Sequence, residues 1–453
     1  MTDYTRGSRR TWRAIAAAST GVLLGLTGCS STGSNGQTGA SAAPSAAVTA
    51  GSGSEASAAG LPSLSVAQST LSTYVGGTPG SADASKPPVY IGFITQHGGI
   101  PSFPEAQVAA EAAVTFVNDK LGGVQGRPLT LVPCVVVSAQ EEALNCAQKM
   151  ANDERIQVVQ LSLLTVGTAA VYSTLNGRKA VVGQTPASPT DVAAQGVYQP
   201  WPGSYGIQGG IAKYVADVLK AKHVAVVYDG DDPGSAFGAK SVAAAFGQLG
   251  VSFKQVATQT GSADVASALV SAGALDADAV VRISNTPSCV PTARAVQQLG
   301  VKAPVIALDF CTDDSVRQAN GGDLPKWTYV GQSRNVLSPQ TDEQAAIYRS
   351  VMNAYAPQAK VGGLAPYAWD SIILDAKMLN QLGAAPKPAA VSDWWKGFRG
   401  PLFLGPDRVT CGFLADKGLP SLCSTTVFLT GYQGGGRWDR SIEVNAESIG
   451  ITK

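Results

Sequence analysis

From residue 89 onward, β-branched apolar runs alternate with segments of helical period, and this alternation constrains the fold more than any other feature of the chain. The run Val89-Tyr-Ile-Gly-Phe-Ile94 reads as a buried strand, and residues 105–121 carry helical periodicity that Gly122-Gly123 stops. Strands at 128–137, 156–161 and 180–183 then interleave with helices at 140–152 and 166–175. The rhythm resumes with helices at 206–219, 236–249, 263–272 and 291–299 and strands at 224–228, 252–257, 279–283 and 305–308. A strand at 327–331, helices at 342–355 and 367–382, and a strand- and turn-rich stretch over 403–438 complete the pattern. Such interleaving predicts βαβ units, and hence an α/β fold with parallel sheets, in two halves that share architecture without clear sequence repetition.

The N-terminus points to export. A short apolar run, Ala14 to Leu26, follows Arg6, Arg9, Arg10 and Arg13 and ends in Leu26-Thr27-Gly28-Cys29. A basic region, a short apolar region and a small residue before the cut form a signal-peptide pattern. The run falls short of the roughly 20 residues a spanning helix needs. The cysteine just after the small residue resembles a bacterial lipobox, which implies that residues 1–29 are a lipoprotein signal and that Cys29 is lipidated. The chain beyond it is then expected outside the cytoplasm, tethered to the membrane. Residues 30–59 are almost all Ser, Gly, Ala and Thr, with Glu55 the one charge. A segment so poor in apolar residues does not fold. Residues 30–86 are therefore assigned to a tether with a reach of ~40 Å by random-coil scaling, although the apolar spacing within 61–75 leaves packing on the domain open.

Six further cysteines fall in three local pairs: Cys134 and Cys146, Cys289 and Cys311, Cys411 and Cys423. An even number in an exported protein argues for disulfides, and pairing within each local pair is expected among the fifteen possible connectivities. With no Cys-x-x-Cys and only two histidines, His97 and His223, a metal site is not expected. The net charge of +1, with 14% charged residues, lacks the clustered basic face of a nucleic-acid partner. Gly234-Ser-Ala-Phe-Gly238-Ala-Lys240-Ser241 looks like a phosphate loop, but its glycines are too close and Ala239 separates Gly238 from Lys240. Neither a Gly-x-Ser-x-Gly elbow nor a His-Glu-x-x-His motif occurs. No enzymatic activity and no cofactor are expected.

Several words of the sequence, in order, resemble the type I periplasmic binding proteins, and more narrowly the branched-chain amino-acid (Leu/Ile/Val) binding family of ABC importers. They are Val89-Tyr-Ile-Gly-Phe; the turn Asn118-Asp-Lys-Leu-Gly-Gly-Val-Gln-Gly-Arg127; Cys134 and Cys146 around the next loop and helix; Ala221 to Asp229; Leu299 to Val305; and Ala365-Pro-Tyr-Ala-Trp-Asp370. Each is weak alone, and the match over about 87–440 lies in their order and spacing. The resemblance implies two parallel-sheet α/β lobes joined by three crossovers. Lobe one is placed at 88–202 and 334–424, and lobe two at 203–333 and 425–453, with Pro200-Trp-Pro-Gly203 as a first hinge. It also implies a monomer that captures an amino acid or similar small polar molecule by hinge closure and delivers it to ABC permease subunits. Two alternatives of the same fold are a sensing lipoprotein and a structural one with a degenerate cleft.

Ligands of open parallel sheets bind beyond the carboxyl ends of the strands. That rule selects Gln96 and His97, the loop at Thr165, and the loop carrying Thr185, Ala187 and Ser188. In the second half it selects Ser235, Asn285 and Asp309. By resemblance, Thr165, Thr185, Ala187 and Ser188 would clamp a ligand carboxylate, a role that suits the free N–H groups of helix starts. Asp309 would receive the ligand ammonium, the competing reading being a helix cap or a solvated carboxylate. Gln96 and His97 are polar for a branched aliphatic ligand, so a more polar ligand is expected; His97 reads equally as an exposed loop residue. A Cys289–Cys311 bridge would hold Asn285 and Asp309 in place.

Overall fold

The computed structural model describes residues 60–447, 449 and 450. The signal segment, Cys29 and most of the Ser/Gly/Ala tract lie outside the described residues.

The first described element corrects the tether boundary. Helix α1 (Leu64–Val75) starts at Ser63, whose hydroxyl accepts from the Val66 N–H, and ends at Gly76 in the left-handed region (φ 65°). Ala67, Leu71 and Val75, four residues apart, form one buried stripe. That stripe joins the core of lobe one, so the tract assigned to the tether up to residue 86 is in part folded.

Lobe one continues with β1 (Val89–Gln96), α2 (Pro104–Lys120), β2 (Leu129–Val136), α3 (Gln140–Asn152), β3 (Ile156–Leu161), α4 (Thr168–Leu175), β4 (Ala180–Gly183), the short α5 (Pro189–Ala193) and β5 (Val197–Tyr198). The five strands form one parallel sheet in the order β2-β1-β3-β4-β5. The chain then enters lobe two through α6 (Gly203–Lys213), β6 (His223–Asp229), α7 (Pro233–Leu249), β7 (Ser252–Thr258), α8 (Val265–Ala272), β8 (Ala279–Ile283), α9 (Thr286–Leu299), β9 (Val305–Leu308), α10 (Asp314–Ala319) and β10 (Thr328–Gly331). It returns to lobe one for α11 (Glu343–Tyr355), α12 (Ala365–Leu382) and α13 (Pro388–Gly397), and to lobe two for β11 (Thr426–Gly434), β12 (Arg437–Trp438) and β13 (Ile442–Asn445).

The second sheet runs β7-β6-β8-β9-β10 in parallel, the same winding as the first. Its far edge is antiparallel: β11 pairs with β10, and β12 and β13 pair with β11. Two α/β lobes are thus present, with the parallel order of lobe two closed off by returning C-terminal strands. In each lobe the winding reverses beside the first strand, between β1 and β3 and between β6 and β8, and crevices open there at the carboxyl ends.

Helix α9 begins five residues before the expected start at 291 and carries Pro291 inside it. Pro287 at its second position supplies a helix start, so Pro291 is accommodated rather than initiating. As a result Ser288 is buried in the helix rather than standing in a loop. Helix α12 is buried on nearly every side against α2, α1 and the first sheet, as an apolar helix in a lobe centre should be. Two carboxyls lie on it. Asp370 accepts the Phe403 and Leu404 N–H groups at 3.2 and 2.9 Å, and Asp375 accepts the Gln160 amide at 2.8 Å. Burial pushes them up to about 7 and about 8. The disulfides are Cys134–Cys146, Cys289–Cys311 and Cys411–Cys423.

Candidate functional site

The first two crossings between the lobes meet at Gln332. Its side-chain oxygen accepts the Gly203 N–H at 2.6 Å, its backbone N–H donates to the Tyr367 hydroxyl at 3.2 Å, and its side-chain nitrogen reaches the Thr185 hydroxyl at 3.4 Å. Gly203 has φ +57°, and a Cβ there would stand 2.0 Å from the Pro186 carbonyl oxygen, so the first crossing tolerates no side chain at this point. The first and third crossings are hydrogen-bonded as Gln199 N–H to Ser421 O (2.8 Å) and Cys423 N–H to Gln199 O (2.9 Å). Trp201 is fully buried edge-on to Tyr367. The loops that face the inter-lobe crevice are therefore hung on one hydrogen-bonded joint.

In lobe one, Gln96 ends β1 and is buried. Its carboxamide oxygen accepts the Thr165 N–H at 2.8 Å, and its nitrogen donates to the Thr165 hydroxyl at 3.0 Å. The structure thus brings Gln96 and Thr165 together, bonded to each other. Ala187 and Ser188 lie at the start of α5, where Asp191 folds back on them. One oxygen of its carboxylate, Oδ2, accepts the Ala187 N–H at 3.0 Å, the Ser188 N–H at 2.8 Å and the Ser188 hydroxyl at 2.8 Å. The other accepts the Tyr172 hydroxyl at 2.8 Å, and Asp191 is buried. His97 stands apart: its ring nitrogen Nε2 bonds Gln107 of α2 at 3.1 Å.

In lobe two, Ser235 is not in a loop but in the first turn of α7, buried, with its N–H donating to Asp232 at 2.7 Å. Asn285 caps α9, and its N–H points to Asp229 Oδ2 at 3.4 Å. Asp229 is fully buried, ion-paired with the fully buried Arg282 and bonded to the Ser288 hydroxyl. Burial pulls the Arg282 guanidinium down, and Asp229 opposes that shift. This pair locks β6, β8 and α9 together behind the crevice. The Cys289–Cys311 bridge ties α9 to the turn that follows β9.

Asp309 opens that turn. It accepts the Tyr367 hydroxyl of α12 at 3.0 Å, a contact from lobe two to lobe one. Some of its surface remains accessible, yet protein surrounds it, and loss of hydration pushes its carboxyl up to about 6. The Tyr367 hydroxyl and nearby backbone N–H groups work against that rise. Two cavities meet at Asp309. One, of about 720 Å³ counting space open to solvent, is bordered by Phe103, Glu105, Thr286, Phe310, Asp313 and Lys360. The other, of about 430 Å³ on the same measure, is bordered by Tyr329, Arg334, Phe428, Thr430 and Trp438. Of the nine residues selected from sequence, Asp309 alone borders these two cavities. Thr185 borders a third, of about 190 Å³, with Tyr172, Asp191 and Gln199.

Sequence reasoning missed Asp191, Gln332 and the bond from Tyr367 to Asp309. Ser188-x-x-Asp191 is a capping-box spacing and was legible as such. Tyr367 lies in Ala365-Pro-Tyr-Ala-Trp-Asp370, a pattern that signals a helix start and says nothing of a partner in the other lobe. Gln332 carried no local signal.

Residues 88–414 match the model of the periplasmic binding protein family. The chain belongs to this family. An amino acid binding protein of Pseudomonas aeruginosa is 27% identical over 320 residues, 68% of this chain and 82% of its own length. Among solved structures, this periplasmic binding protein is similar to a leucine-binding protein of Thermotoga maritima (TM-score 0.62, 16% identity, covering 79% of this chain and 99% of that one). It is also similar to a fatty acid ABC transporter substrate-binding protein of Thermomonospora curvata (TM-score 0.64, 13% identity, 83% and 98%). A third is a solute-binding protein of R. palustris in complex with 4-hydroxybenzoate (TM-score 0.61, 16% identity, 79% and 98%). At these identities the structures bear on the fold: a type I periplasmic binding protein with two α/β lobes.

Proposed function

We propose that this chain is an extracytoplasmic, lipid-anchored solute-binding subunit that captures a small polar molecule of amino-acid size and hands it to ABC permease subunits. The observation that carries the reading is the crevice itself. Asp309 from lobe two borders it and accepts the Tyr367 hydroxyl of lobe one, and the first two crossings meet at Gln332 beside it. Ligand first docks on one lobe, and the second closes over it; closure is favoured because contacts from both lobes exist only in the closed form. The family match, the relative that is an amino acid binding protein and the similar ABC transporter substrate-binding structures support capture for import. Lipidation at Cys29 supports local search at the membrane, and the Ser/Gly/Ala tract supplies the leash.

The test is a thermal-shift screen of the chain against amino acids, amides, amines, sugars and small carboxylates, with X-ray scattering on any hit. At a hundredfold excess over Kd a ligand adds ~2.7 kcal/mol to stability. A hit accompanied by a smaller radius of gyration is expected. A panel without any hit would refute capture. Loss of membrane retention in Cys29→Ser is the expected result for the anchor, and unchanged retention would refute it.

A further inference from the structure

The turn after β9, Asp309-Phe-Cys-Thr-Asp313, belongs to lobe two, yet three of its side chains reach lobe one. Asp309 takes the Tyr367 hydroxyl of α12, and Phe310 packs against the lobe-one core. Asp313 is ion-paired with Lys360, which stands in the connection between α11 and α12. The turn itself is fixed to its own lobe. Cys311 is fully buried in the core of lobe two and bridged to Cys289 of α9. The Thr312 hydroxyl donates to the Asp309 carbonyl at 2.7 Å, and the Thr286 hydroxyl of α9 donates to the Phe310 carbonyl at 3.4 Å. A segment stapled to one lobe thus grips the other through a hydrogen bond, an apolar contact and an ion pair.

The ion pair is the adjustable part of that grip. The two oxygens of Asp313 do different work. Oδ1 accepts the Ser315 N–H at 2.9 Å and the Ser315 hydroxyl at 2.6 Å, which caps α10, while Oδ2 takes Lys360. The side chains are 15% and 44% exposed, so the pair is only partly shielded from water and salt. Burial pulls the Lys360 ammonium down, but the hydrogen bond to Asp313 and the charges of Glu105, Asp313 and Asp314 outweigh it and hold the group above its ordinary value. Glu105 lies on α2 of lobe one. Opening of the crevice therefore takes Asp313 away from Lys360 but leaves it a second acid in its own lobe. The pair can break without stranding a buried cation.

We infer that the turn Asp309–Asp313 is a clasp between the lobes, and that the Asp313–Lys360 pair sets how readily the crevice opens. Both are positioning residues. They act on any ligand through the closed fraction of the protein, because apparent affinity scales with the population of the form that completes the site. The inference rests on the hinge-closure part of the capture reading and adds to it a control that does not depend on which solute is bound.

Pulsed electron spin resonance tests it without any ligand. The full chain carries Cys29→Ser and nitroxide labels at Ser138→Cys, which follows β2, and Ala263→Cys, which follows β7; both positions are exposed, one on each lobe. Lys360→Met and Asp313→Asn, the latter keeping an oxygen for the Ser315 cap, are each expected to raise the ratio of long to short distances about two- to fivefold, the range for a partly exposed ion pair. The double variant is expected to match the single ones rather than multiply them, because each single change already breaks the pair. Raising NaCl from about 0.05 to about 0.5 M is expected to move the parent in the same direction and to leave both single variants where they are. Distances unchanged in either folded single variant, effects that multiply in the double variant, or a salt response that persists in the single ones would overturn the clasp. Each of these outcomes leaves solute capture in place, since the thermal-shift screen decides that separately.

Discussion

Replacing Asp309 by Asn should make the ligand-free protein more stable at pH 8 and leave it unchanged at pH 3.5. The carboxyl is held at about 6, against an ordinary value near 3.9, because burial disfavours its charge. The folded state therefore binds this proton more tightly than the unfolded state does. Below about pH 3.9 the group is protonated in both states and contributes nothing. As pH rises through the interval to 6 the unfolded chain ionises first, and folding progressively loses stability. Above pH 6–7 the full difference applies: about two pKa units at 1.36 kcal/mol each, or ~3 kcal/mol. Because Asp309 keeps some accessible surface, ~3 kcal/mol is the upper bound, and ~1–3 kcal/mol is the working range. Asn retains a carbonyl oxygen for the Tyr367 hydroxyl, so that hydrogen bond survives the change. Urea unfolding of both proteins at pH 3.5, 5, 6.5 and 8 reads the difference directly. A stability gap that opens with pH and levels off near 7 is the expected result. A pH-independent gap, or a variant less stable than the parent at pH 8, would refute the reasoning. The same linkage means that a cationic ligand at Asp309 binds more tightly as pH rises through 6.

Gly203→Ala places a Cβ against the Pro186 carbonyl at a positive φ, so a loss of ~1–3 kcal/mol is expected in thermal unfolding, together with altered ligand-induced compaction by scattering. Leu71→Ala on α1 removes a fully buried side chain and should cost ~2–5 kcal/mol in denaturant unfolding; no loss would show that α1 is not part of the lobe-one core. Serine at both Cys289 and Cys311 opens a loop whose ends are 22 residues apart and should lower stability by about 3 kcal/mol. It should also weaken ligand binding, because the bridge ties α9 to the turn of Asp309; unchanged affinity in calorimetry would rule out that positioning role. Arg282→Met leaves Asp229 buried without its cation and should destabilise by ~3–5 kcal/mol, with Arg282→Met/Asp229→Leu less damaging than the single change.

The doubly wound architecture was legible because each strand and helix announces itself locally. Period-two and buried apolar runs mark the strands, helical periodicity marks α2, α3, α11 and α12, and Gly122-Gly123 and Gly300 stop helices. The disulfides were legible because their partners are near in sequence. Asp309 was selected because strand ends are where parallel sheets present side chains to ligand. The antiparallel edge of lobe two was not, since β11 finds β10 only after the chain has built α11 to α13 elsewhere. Nor was α1, whose three buried apolar residues mean nothing until α11 and α12, nearly 300 residues later, provide the surface they cover.

For the crevice the division is sharper. By itself the sequence determined which residue types stand at the strand ends: a Gln, hydroxyls, small residues and an Asp. It did not determine whether their hydrogen-bonding groups face a ligand or one another. That was decided by tertiary structure, which carries Gln96 to Thr165 across 69 residues, Gln332 to Gly203 across 129 and Tyr367 to Asp309 across 58. The physical reason is saturation: an N–H donates once, and a partner supplied by the fold is present before any ligand arrives.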